Sequence, residues 1–160
     1  MNSSAARQLS VLRLIIASMT LALLAAAIIM IVLAPRLEQS VPPEVANLLL
    51  IVLAGLAVSQ MPVYFFIRHT SLRRLQAALA GRELTADVTR SLQDVYFRLT
   101  LVPAALLEGW GLLGSVIFLL TQQWPALAAP ALAVGGLMFA WPTRDRLERF
   151  ITAMTDRSAP

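Results

Sequence analysis

One carboxylate in this chain sits where a carboxylate is costly. Glu108 is the only charged residue between positions 101 and 121, a stretch otherwise apolar and long enough to cross a bilayer as a helix. An ionisable side chain in such a segment costs about 3 kcal/mol on insertion scales, so it calls for a partner or a role. Its neighbours at helical spacing are Ala104, Ala105, Gly111 and Ser115, with Gly114 close by. All are small, and small residues let a second helix come near, so the spacing predicts a packing face with Glu108 turned toward protein.

Depth counting extends the prediction. Glu108 lies about eight residues into its span, roughly 12 Å from the inner edge at helical rise. Thr20 in the first span and Ser59 and Gln60 in the second fall at comparable depth, while Gly135 and Gly136 in the fourth leave room. A polar layer of Thr20, Ser59, Gln60 and Glu108 is therefore expected. A neutral carboxyl group there would donate to Gln60 and fix helix register. A titrating one would bind and release a proton or cation. With a single carboxylate and no second acid to form a relay, the packing role leads and ion binding is the alternative.

Other chemistry has little to work with. The chain has no cysteine and one histidine, His69, so a metal centre built within one chain is not expected, nor any cofactor. No phosphate loop, nucleophile elbow or dinucleotide fingerprint is present, and an enzymatic role has no residues to carry it.

The elements that must position Glu108 follow from composition. Of 160 residues, 58% are hydrophobic and 14% charged, and mean hydropathy is +0.73. Soluble domains carry roughly a quarter charged residues, so a soluble globular protein is excluded. Apolar runs cover residues 14–34, 45–67, 101–121 and 125–141, the last short and bracketed by Trp124 and Trp141 as interfacial anchors. The expected fold is an all-α integral membrane protein, one membrane domain over residues 1–160, with four transmembrane helices as two hairpins and cytoplasmic amphipathic segments. The halves share a layout of arginine-led span, proline-containing loop and second span, which leaves an internal repeat open.

All 13 basic residues are arginine. Arg7 and Arg13 precede the first span, six arginines lie in residues 68–99, and four follow the fourth span, against Arg36 alone in the first loop. That asymmetry predicts cytoplasmic N- and C-termini, and it explains the net charge of +4 without nucleic acid. Arginine without lysine, beside abundant alanine and leucine, suggests a GC-rich bacterium, hence an inner-membrane location. In the long connection, Leu72, Leu75 and Leu79 predict an interfacial helix. After Gly81, a second pattern through Leu84, Val88, Leu92, Val95 and Leu99, with Thr85 as N-cap, is expected to run on into the third span. Thr143 should cap a short amphipathic tail helix. Arg68, Arg73, Arg74, Arg144, Arg146 and Arg149 are the expected contacts to anionic lipid of the inner leaflet.

The stretch from Glu108 to Leu120, with Gly111, Leu112 and Gly114 in order behind the carboxylate, resembles the carboxylate helix of the proteolipid (c-type) subunits of rotary ATPases. The resemblance covers residues 108–120 only, and the first span lacks the glycines of that family's ring-lining helix. It implies a membrane carboxylate carrying a proton or sodium ion, with Glu108 in that place. The expected function is a non-enzymatic membrane protein acting by helix packing. It would be self-associating or an accessory subunit of a larger membrane assembly, with other membrane subunits and lipid as partners. A proton- or cation-coupled channel or carrier using Glu108 is the alternative.

Overall fold

The computed structural model describes residues 3–37, 41–79 and 86–156, and every regular element among them is helical. α1 is Ser3–Leu33, followed by a single turn, Ala34–Arg36, opened by Pro35. α2 is Pro43–Leu79 and α3 is Ala86–Thr121, and neither is broken by its internal proline, Pro62 or Pro103. After a turn at Trp124–Leu127 come α4, Ala128–Phe139, and α5, Arg144–Asp156.

Three helices, α1 to α3, are long and apolar enough to cross a membrane, each over 31 residues. The fourth apolar run takes another form. With its leading turn, α4 extends about 26 Å at helical rises, short of the roughly 30 Å hydrocarbon layer. It passes the same test only jointly with α5, across a bend of 69°.

α3 is the axis of the bundle, and α1, α2 and α4 all pack on it. α1 lies parallel to α3: Gln8 reaches Asp94 at one end (3.4 Å) and Gln122 reaches Ala34 at the other (2.7 Å), pairs 86 and 88 residues apart in sequence. α2 runs antiparallel, bringing Tyr64 and Ile67 beside Leu99, Val102 and Leu106, and Leu53 beside Trp110. α4 is also antiparallel to α3 and touches α1 as well.

The expected first hairpin is not a packed pair. α1 and α2 have no substantial interface with each other, because the residues that permit close approach lie on α3. The two halves consequently pack differently, whatever their shared layout. α1 buries a narrow seam of Leu9, Leu12, Ile16 and Leu23 and leaves Leu14, Leu21 and Ile28 outside. α2 buries little beyond Ala46 and Leu53, and exposes Leu48, Ile51, Val58, Met61, Phe65 and Phe66. Such an apolar perimeter suits hydrocarbon rather than water.

Two expectations about the connecting segments change. Leu72 and its neighbours do not start a separate interfacial helix, since α2 continues unbroken to Leu79. The tail forms α5, whose Arg146 amide donates to the Thr143 hydroxyl at 3.3 Å as an N-cap should. Its apolar face meets protein, however: Leu147 is buried, Phe150 packs on Tyr96 with ring centroids 5.6 Å apart, and Phe150 and Ile151 close over Leu92. The predicted cap Thr85, with Gly81 and Leu84, lies outside the described residues.

Candidate functional site

The small residues of α3 are consumed inside the bundle. A Cβ placed on Gly111 would lie 2.8 Å from the Ala133 Cβ and 2.9 Å from Leu23 Cδ1, so α1, α3 and α4 meet there. A Cβ on Gly114 would collide with the Ala129 Cβ and lie 2.9 Å from the Ala126 carbonyl oxygen. Ala104 and Ser115 are buried on the same side, the serine hydroxyl donating to the Gly111 carbonyl at 3.0 Å. Opposite, Gly136 admits the Leu107 side chain, 2.9 Å from where a Cβ would stand, while Gly135 faces open space. Ala105, expected among the packing residues, is exposed. It precedes Glu108 by three positions and rotates out of the packed arc.

Glu108 is partly exposed and makes no hydrogen bond or ion pair with another described residue. The expected polar layer is dispersed around α3. Trp110 lies two residues beyond Glu108, about 200° around the helix, and its Nε1 donates to the Leu53 carbonyl of α2 at 3.0 Å. Glu108 therefore points away from α2 and from Ser59 and Gln60. Ser59 is exposed and donates to the Leu56 carbonyl of its own helix at 2.8 Å. Gln60 lies seven residues after Leu53, on the side of α2 that meets α3, and is partly buried.

Thr20 stands level with Glu108, since the 88-residue offset between α1 and α3 pairs those positions. It lies on the wrong flank. Arg13 marks one side of the α1–α3 seam, donating from Nε to the Pro142 carbonyl between α4 and α5 at 3.0 Å. Thr20, seven residues on and about 20° away, shares that side, and its hydroxyl donates to the Ile16 carbonyl at 2.8 Å. The Gln8–Asp94 pair marks the other side. Glu108, fourteen residues after Asp94 and about 40° away, shares that one. The carboxyl group thus faces the outer flank of α3, beside α1 and open to the surroundings.

The contacts that fix the bundle include several that spacing did not reveal. Gln122, with φ of 53°, donates from Nε2 to the carbonyls of Ala34 (2.7 Å) and Leu37 (2.9 Å), closing the end of α1. Gln123 Nε2 lies 3.5 Å from Asn47 Oδ1 of α2. At the arginine-bearing end, Arg146 donates to the Phe139 carbonyl at 2.6 Å, with its guanidinium 5.3 Å from the Phe139 ring centroid. Together with Arg13 it braces the α4–α5 bend. The available signal was polarity: two glutamines in an uncharged turn, and arginines next to helix ends with free carbonyls.

Of the arginines expected at lipid, Arg73, Arg144 and Arg149 are exposed, Arg146 is committed to the bend, and the side chains of Arg68 and Arg74 lie outside the description. Among the described residues no three His, Asp or Glu side chains gather as a metal site would require. No family model, characterised protein or solved structure matches this chain.

Proposed function

We propose that this chain is a small multi-pass membrane protein that works by helix packing, either self-associating or as an accessory subunit of a larger membrane assembly. In this reading α1, α2, α3 and α4 lie in a bacterial inner membrane, with α5 on the cytoplasmic side, both termini cytoplasmic, and Arg73, Arg144 and Arg149 at the anionic leaflet. The observation that carries it is Glu108. A carboxyl group on the outer flank of an apolar helix, with no partner among the described residues, favours assembly with something that supplies one, since lipid tails offer neither donor nor acceptor.

Native mass measurement on the protein extracted in mild detergent tests this directly. Assembly predicts a mass above that of a single 17.4 kDa chain, from further copies or from a co-purifying protein. A lone chain under conditions that keep it folded overturns the proposal.

The open flank of Glu108 also supports a second reading, ion transport, for which the residue order from Glu108 to Gly114 is the sequence argument. It predicts that Glu108→Gln abolishes a proton or sodium flux in proteoliposomes. Absence of flux in the unsubstituted protein, or flux untouched by the substitution, removes it.

A further inference from the structure

Apolar and basic surfaces of the chain meet at one corner, where α4 gives way to α5. We propose that this corner holds one anionic phospholipid, with its phosphate between Arg146 and Arg149 and an acyl chain along Leu132, Gly135 and Phe139 of α4. The proposal rests on the membrane placement given above and adds the bound molecule.

The bend sets the geometry. α5 departs from α4 by 69°, so where α4 stands across the bilayer, α5 runs close to the plane of the leaflet. Arg146 identifies the side of α5 that faces the membrane. Its guanidinium donates to the Phe139 carbonyl at 2.6 Å and lies 5.3 Å from the Phe139 ring centroid, at the last turn of α4. Arg149, three residues on and about 60° around the helix, is exposed beside it. Ala153 falls between the two and is also exposed, so only a short side chain stands there. The acids of α5 lie outside that arc, Asp145 about 100° and Glu148 about 160° from Arg146.

Below Arg146, α4 presents an apolar stripe. Leu132, Gly135 and Phe139 fall at i, i+3 and i+7, on one side of the helix. Leu132 is 63% exposed and Phe139 79%, and a Cβ built on Gly135 meets nothing within 4 Å. The glycine leaves a shallow recess between two large side chains, and the stripe ends under a cation.

Charge complementarity chooses the occupant. Arg146 gives an N–H to the Phe139 carbonyl, which fixes its planar fork, and a guanidinium offers five donors in all. Such a fork suits a phosphate, and a second arginine within one turn adds to the attraction. An acidic protein would meet the arginines but leave the apolar stripe beneath them uncovered. A zwitterionic lipid would cover the stripe and leave the positive charge unanswered. A phospholipid of net negative charge supplies both parts at the spacing of the corner.

Native mass spectrometry of the detergent-extracted protein, supplied with phosphatidylglycerol and phosphatidylcholine of matched chains, tests this. The unsubstituted protein should retain phosphatidylglycerol several-fold over phosphatidylcholine. Arg149→Gln leaves the Arg13 and Arg146 bonds at the bend intact. It should lower that preference about five-fold, the worth of one arginine near an anionic surface, and Arg146→Gln should lower it at least as far. Arg36→Gln, exposed at the opposite end of α1, should leave it unchanged. Equal retention of the two lipids, a preference indifferent to Arg149→Gln, or an equal drop in Arg36→Gln overturns the site. Glycerol 3-phosphate at the lipid's concentration should displace nothing, since it lacks the chains, and displacement overturns the lipid as occupant. The same spectra read assembly independently. An oligomer without lipid preference leaves assembly standing and removes this site, whereas a lone chain that selects phosphatidylglycerol removes assembly and keeps the site.

Discussion

Gly109 and Gly111 are two residues apart on one helix and live in opposite environments. Gly111 is clamped between Leu23 of α1 and Ala133 of α4, whereas a Cβ on Gly109 would meet nothing. About 200° of helical rotation separates them. The packed side of α3 holds the fold together, and the open side is free to hold something else. In a soluble protein, exposed area could be told from buried area by polarity. Here both sides are apolar, so side-chain size and the direction of the few polar groups carry the distinction.

The sharpest way to break the comparison is to enlarge the packed side. Gly114→Leu should be the most damaging single change, because even a Cβ there collides with Ala129 and crowds the Ala126 carbonyl. Overpacking of a tight core costs about 1–3 kcal/mol or more, and leucine adds far more than one methyl group. Failure to recover folded monomer in detergent, read by size exclusion and circular dichroism, is the expected outcome. Gly111→Leu should follow closely. Wild-type behaviour of either variant would mean that α4 does not lie against α3 as described.

Polar ties come next in size. Gln122→Ala removes two hydrogen bonds that hold the end of α1 to the turn after α3, and also leaves the backbone at φ of 53° without its anchor. A loss of about 1–3 kcal/mol is expected, taking each bond at about 1 kcal/mol, measured by denaturation in mixed micelles. Trp110→Phe keeps the ring but removes the donor to the Leu53 carbonyl, a side-chain bond that ties α3 to α2. The cost should be smaller, about 0.6–1 kcal/mol, as for interhelical hydrogen bonds in membranes. A greater loss from Trp110→Phe than from Gln122→Ala would show that α2 is held more tightly than its small buried area implies.

Much of the fold was legible in the sequence, and what was not has identifiable physical causes. The apolar runs located α1, α2 and α3, since length and hydropathy are properties of a segment alone. Thr143 announced the start of α5 by cap chemistry, which is local. Pairing of helices was not legible, because the long helices are apolar on nearly every side, so periodicity does not point inward. Small residues were the useful signal, correct for Ala104, Gly111, Gly114 and Ser115, and misleading at Ala105, about 100° around the helix from Ala104. The polar layer failed for a related reason. Depth is a one-dimensional count, and Thr20 does stand level with Glu108, but azimuth depends on which neighbour each helix chooses. Trp110 decided it for α3 by bonding to α2, which turned Glu108 outward.

The smallest predicted effect on the monomer is the most informative about the open side. Gly109→Ala places a methyl group in empty space and replaces a poor helix former by the best, so stability of the isolated folded chain should stay level or rise by up to about 1 kcal/mol. The same change at Gly111 puts its methyl carbon 2.8 Å from the Ala133 Cβ and should destabilise. Opposite signs from one substitution at positions two apart would establish the two-sided character of α3 without a binding partner. If both lower stability, the Gly109 face is already occupied within the folded chain, and the outward course assigned to Glu108 is wrong. If Gly109→Ala is neutral in monomer unfolding but weakens the oligomer, the backbone at that position lies against another molecule. That reading follows because a methyl group that meets nothing within its own chain can only be felt by something outside it.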